Sequence, residues 1–254
     1  MNFLDVFTKT LMNQKIKIYF IGGLGSNYYF AKDFFQELEV ETIFLNPYKE
    51  IIQDKKELQN WFNDEVRDCK EVYLIGHSLG GDLARFLASR CPKVTKLILL
   101  DGGYLNLDEI MPLENEIEAT KDYFRQHTFS NLEEVIDNEK SKSYYWSENL
   151  EEALRNSYRY NNTSDKFELD LDFEKVSYLL KLRRAIRSYQ RNLESKDVLF
   201  IAPAYEEEPE WRKISLDKLP KYFDVELVEN CGHEMYMKHP TEIANIVTSW
   251  INEK

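Results

Sequence analysis

Cysteine is scarce. The three in 254 residues, Cys69, Cys91 and Cys231, are an odd number and widely spread. Neither a disulfide framework nor a C-x-x-C metal knuckle is expected, and a reducing, cytoplasmic setting is. Histidine is limited to His77, His127, His233 and His239, and the five-residue gap between the last two is not a standard ligand spacing. A metal is therefore not expected. No apolar run reaches about 18 residues, which excludes a transmembrane helix. Met1 to Gln14 does not combine a basic start, a long apolar stretch and a cleavage site, so no secretory signal is expected. Positive charge is in deficit: 33 Lys and Arg face 45 Asp and Glu, a net charge of −12. A nucleic-acid partner needs a cationic footprint and is not expected. The same acidity repels anionic membrane surfaces and favours solubility. No repeat or Gly-Ser tether divides the chain, and nothing in the pattern bears on oligomeric state.

Aromatics are plentiful at 14%, and apolar residues make up 43%. Such a chain folds, and its length suits one domain or a core with an insertion. Apolar, β-rich runs occur at Ile16–Ile21, Val40–Leu45, Glu71–Ile75 and Val94–Leu100, with helical stretches between them. The run Lys55–Cys69 carries Leu58, Trp61, Phe62 and Val66 at spacings of three and four, as an amphipathic helix does. The pattern resumes with strands at Asp197–Ala202 and Phe223–Glu229 and a final helix at Thr241–Ile251. Strands that are apolar throughout and separated by helices predict an α/β fold, a mostly parallel sheet of about six strands with helices on both faces. The stretch from Leu105 to Lys196 breaks the rhythm and reads as a helical insertion, with helices predicted around Leu132–Ile136 and Val176–Arg187. The core is then 1–104 and 197–254, and the insertion 105–196. Within it, Arg183, Arg184, Arg187 and Arg191 read as a solvated face balancing nearby acids, with a clamp for an anionic substrate as the alternative. Tyr144, Tyr145 and Trp146 read as core of the insertion, with an acyl pocket as the alternative.

The strongest chemical signal is Gly76-His77-Ser78-Leu79-Gly80, which follows an apolar strand and opens a helix. A sharp strand-to-helix turn holds the serine in a strained conformation, and glycines two residues away on each side relieve the crowding. The hydroxyl then stands clear above the helix N-terminus, where the Leu79 N–H can stabilise an oxyanion. The competing reading of Ser78 is a helix cap. A serine nucleophile also needs a base with a pKa near neutrality, which suits histidine.

At these residues the chain resembles the α/β-hydrolase superfamily, from the front to about Asp101 and again from about Asp197. The resemblance implies an α/β-hydrolase fold with a helical lid formed by the insertion. Only 15 residues precede the first strand, so the extra hairpin of the eight-stranded form is shortened or absent. Gly22-Gly23-Leu24-Gly25-Ser26 fits the family's His-Gly-x-x-Gly-Ser frame, with Ile21 in place of the histidine, and puts the second oxyanion N–H at Gly23. Gly232-His233, between a strand and the last helix, sits at the junction where relatives carry the base. His77 then reads as packing beside the nucleophile, His127 as an insertion-surface residue, His239 as a turn residue and Cys231 as a packed thiol. The acid is expected at Glu206, just past the strand after the insertion, with Asp101 at the end of the strand before it as the alternative. Together these imply a serine hydrolase that cleaves an ester or related acyl bond of a small molecule through an acyl-enzyme, with no cofactor. The alternatives are a thioester or carbon–carbon bond hydrolase or cofactor-free lyase on the same triad, or a non-catalytic ligand-binding protein.

Overall fold

A computed structural model describes residues 16–38, 40–187 and 193–254. Any hairpin or leader ahead of the first strand lies outside the described residues, as does Arg191. Six strands, β1 (Ile16–Ile21), β2 (Thr42–Leu45), β3 (Glu71–His77), β4 (Val94–Leu100), β8 (Asp197–Pro203) and β9 (Asp224–Val228), form one sheet in the order β2-β1-β3-β4-β8-β9. Every pairing in it is parallel, so every strand ends on the same side.

The inner strands are largely apolar because both sheet faces are buried there, whereas the edge strand β9 is exposed at Val225, Glu226 and Leu227. Along β1, Tyr19 and Ile21 enter one core, which also takes α2 (Lys55–Glu65) and α3 (Leu79–Arg90). Ile18 and Phe20 point the other way, into a second core with α1 (Tyr28–Glu37) and α11 (Pro240–Glu253). Local signals set helix starts: Asn27 accepts from the Tyr29 N–H at 3.1 Å and Asp54 from Lys56 and Glu57. No helix among the described residues is long and apolar enough to cross a membrane.

The insertion runs through α4 (Leu107–Ile110), α5 (Leu113–Gln126), β5 (Thr128–Phe129), α6 (Leu132–Lys142), α7 (Glu148–Arg155), β6 (Tyr158–Asn161), β7 (Lys166–Leu169) and α8 (Phe173–Ile186). It is mainly helical, but β5, β7 and β6 form a small antiparallel sheet that the sequence reading did not anticipate. These strands have two or four residues and are half polar, so they leave no apolar run to notice. The turn at Asn161, whose side chain accepts from the Thr163 N–H at 2.9 Å, was the readable signal. The last helix of the insertion, α8, sends Val176, Leu179, Leu180, Leu182 and Ile186 into the main core.

The arginines of α8 correct a second expectation. They are not a solvated face: Arg183 and Arg184 are half-buried and both engage Glu116 of α5, Arg184 also reaches Asp108 at 2.6 Å, and Arg187 bonds the Leu105 carbonyl. The cluster fastens α8 to α5 and to the chain leaving β4. Elsewhere the insertion is tied to α1 through Asp33, which accepts from Tyr145 (3.2 Å), Ser147 and Asn149 (2.5 Å).

Candidate active site

Strand β3 delivers Ser78 to the carboxyl end of the sheet, with φ 53° and ψ −124°, in the left-handed region that non-glycine residues avoid. The peptide N–H of Ser78 bonds the Leu100 carbonyl at 3.1 Å, which anchors the turn to β4. The serine hydroxyl makes no capping bond to α3, which it precedes, so the turn leaves it free of that duty. Gly80 is required for packing, since a Cβ there would collide with the Ile21 carbonyl oxygen at the end of β1. A Cβ built on Gly23 would lie 3.0 Å from that of Ser78, so the loop after β1 runs directly over the serine. Neither the Gly23 nor the Leu79 N–H donates to a backbone carbonyl among the described residues.

His233 lies in the loop between β9 and α10 (Met235–Lys238). Its Nδ1 is 2.7 Å from Oδ2 of Asp101, at the end of β4. A carboxylate only accepts, so Nδ1 carries the proton and Nε2 is left as a base. Asp101 therefore replaces Glu206 as the carboxylate facing the imidazole. Glu206 is exposed on the loop after β8, whereas Asp101 is buried and held at φ 40°. Burial by itself would raise the Asp101 carboxyl. The His233 hydrogen bond and charge, then Arg212 and a hydrogen bond from Tyr104, outweigh it and hold the group below the usual carboxylate range. For His233, burial pushes the imidazole down, but the Asp101 bond and charge, with Glu234, lift it above its ordinary value against the opposing charge of Arg212.

His77 supports the same loop. Its Nε2 donates to the His233 carbonyl at 2.9 Å, and the two rings lie 4.7 Å apart. Burial first, and the His233 charge second, drive its pKa down to about 3, so it stays neutral and adds no charge beside His233. Cys231 is buried, and burial raises its thiol to about 11, which suits packing and not nucleophilic chemistry. His127 is half-buried in the insertion, with Nδ1 donating to the Tyr123 carbonyl at 2.8 Å. His239 does more than turn the chain: its Nε2 meets the hydroxyl of exposed Tyr144 and its Nδ1 lies 3.3 Å from Glu242.

Ser78, His233, His77 and Gly23 open on one cavity of about 1100 Å³. Leu24, Phe30 and Phe44 of the core line it, together with Phe124, Trp146 and Leu171 of the insertion. Of the three consecutive aromatics, Trp146 thus faces the cavity, while Tyr144 and Tyr145 reach back to the core. Sequence reasoning missed Tyr104 and Arg212, which hold the far side of Asp101. Arg212 sits among glutamates in Glu206-Glu207-Glu208-Pro209-Glu210-Trp211-Arg212 and reads there as surface charge. Its burial in the fold overturns that appearance.

No family profile matches the sequence, and no curated protein matches it. Solved structures do. A hydrolase of E-2-(acetamidomethylene)succinate is similar with a TM-score of 0.73 at 14% identity, over 93% of this chain and 91% of that one. An esterase of M. tuberculosis is similar at TM-score 0.67 and 15% identity, over 94% and 86%. A peroxisomal alpha-beta-hydrolase of Saccharomyces cerevisiae is similar at 0.65 and 13%, over 94% and 76%. The chain has the α/β-hydrolase fold.

Proposed function

We propose that the protein is a serine hydrolase that cleaves an ester or related acyl bond through an acyl-enzyme. The observation that carries this reading is the pairing, on one cavity, of Ser78 in its strained turn with a His233 ring whose Nδ1 is bonded to Asp101. In this mechanism Ser78 Oγ attacks the acyl carbon and His233 Nε2 takes its proton. The N–H groups of Gly23 and Leu79 hold the oxyanion, with the N-terminus of α3 adding to the field there. His233 returns the proton to the leaving oxygen, then activates water to release the acyl group. Asp101 keeps the imidazole in the correct tautomer and stabilises its charged form. The apolar walls of the cavity suit an acyl chain or aromatic group of a small molecule. The insertion serves as the lid that excludes water from it.

Fluorophosphonate labelling followed by adduct mapping tests the nucleophile. The adduct is expected on Ser78 and absent from Ser78→Ala, which loses several powers of ten in ester turnover. An adduct on another serine, or full turnover in Ser78→Ala, overturns the reading. A protein that neither labels nor turns over any ester of an acyl-length series is a binding protein on this fold.

A further inference from the structure

Asp101 has a second side-chain donor besides His233, Tyr104, and Arg212 stands behind it in series. Arg212, on α9 (Glu210–Asp217), is 2% exposed. Its Nε donates to the Tyr104 hydroxyl at 2.9 Å, and that hydroxyl lies 3.1 Å from Asp101 Oδ1. A guanidinium only donates, so the phenol oxygen accepts from Arg212 and its single proton is left for Asp101. Arg212 Nη2 lies 3.5 Å from the same Oδ1 and donates to the Pro203 carbonyl at 2.9 Å. Nη1 meets Glu208, and the guanidinium sits 4.8 Å from the centre of the Tyr205 ring. With Oδ1 engaged on that side, Oδ2 is the oxygen turned to His233.

We propose that Arg212 is a positioning residue: through the Tyr104 hydroxyl and its own Nη2 it locks the Asp101 carboxylate with Oδ2 turned to His233. The proposal rests on the Ser78–His233–Asp101 reading for its catalytic meaning, but not for its test. The groups around His233 are Asp101 at the end of β4, neutral His77 at the end of β3 and Glu234 in its own loop, with Arg212 of α9 behind Asp101. Tyr104, Tyr205 and Cys231 complete the surroundings of Asp101. Arg212 is the one permanent cation among them. Asp101 and Glu234 lift the imidazole above its ordinary value, and the charge of Arg212 opposes that lift, so losing the arginine raises the midpoint further.

The four histidine rings of the full chain, isotopically labelled, give the His233 titration midpoint by NMR, with His233→Gln assigning the signal. Arg212→Met is expected to raise that midpoint by about half to one pH unit. The acid limb of kcat/KM moves with it, and kcat falls about tenfold or more while KM changes little. Arg212→Lys restores the charge and hence the midpoint, but not the full kcat, because an ammonium cannot reproduce the planar fork. If Arg212→Met does not fold, Glu208→Gln decides: it removes the cation's competing carboxylate and is expected to move the midpoint down. A wild-type midpoint in Arg212→Met, or in Glu208→Gln where that variant decides, overturns the proposal even if the triad variants are inactive. Full turnover in Ser78→Ala and Asp101→Asn overturns the triad reading instead and leaves the midpoint to judge Arg212.

Discussion

Two loops lie side by side at the carboxyl ends of β4 and β8, and each carries a carboxylate that could complete the site. The loop after β4 is short and buried; the Asp101 N–H bonds the Ile201 carbonyl of β8 at 2.8 Å, so the residue continues the sheet ladder one step past the strand. The loop after β8 is richer in acid but exposed at Tyr205, Glu206 and Glu207. A carboxylate in water has many equivalent partners and no fixed direction. One that is buried must be paired, and its few partners fix where it points. The helix that follows the second loop, α9, contributes the opposite charge, Arg212, which reaches back to the acid of the first. A run of like charges in sequence is thus a poor guide to which member does chemistry. Depth and the supply of donors decide it.

The sharpest way to break this comparison is to neutralise each acid in turn. Asp101→Asn is expected to lower kcat for an activated ester by about three to four powers of ten, because the amide no longer holds the correct His233 tautomer. A small loss there, with a large one in Glu206→Gln, would reverse the assignment. Next in size is His77→Phe, which keeps a ring against His233 and Tyr236 but removes the donor to the His233 carbonyl. About a tenfold to hundredfold loss of kcat is expected, with the melting temperature showing that the fold is intact; unchanged kcat would mean the β9–α10 loop needs no such tether.

The pH profile sharpens the comparison further. His233 must be neutral to act as a base, so kcat/KM falls as pH drops through its midpoint, which lies above the ordinary 6.5. Asp101 is the main group raising that midpoint, so residual activity in Asp101→Asn should show the acid limb at lower pH. A limb at the wild-type position would show that some other group titrates. The Asp101 carboxyl itself is held below its ordinary 3.8, so its contribution to stability is present above that value and is lost as pH falls through the lower, folded one. The smallest effect belongs to Glu206→Gln. Turnover should match the parent and stability should stay within about 0.5 kcal/mol, as for most exposed positions. A larger change measured by chemical denaturation would mean that the exposed loop carries structure.

Much of the fold was legible because its signals are local. The inner strands of the main sheet are largely apolar runs, and the elbow is a pair of glycines around one serine. The insertion was less legible. The helix Leu113–Gln126 is rich in charge, with Glu116 and Thr120 on its buried side, so its inward face carries little apolar pattern to read. Glu116 is buried there only because Arg183 and Arg184 arrive from another helix to pair with it.

Ser78 and His233 could be picked out in one dimension because each is marked by its own neighbours: a strained turn needs glycine close by in the chain, and a loop between a strand and a helix is written in consecutive residues. The carboxylate that faces the imidazole could not be. Its identity depends on a contact between Asp101 and His233 across 132 positions and on the buried arginine that holds its other oxygen. Both Asp101 and Glu206 carry the same charge at the end of a strand. Only the packed structure removes one from water, gives it donors and turns it toward the ring, because desolvation and hydrogen-bond direction are properties of the assembled fold and not of the local chain.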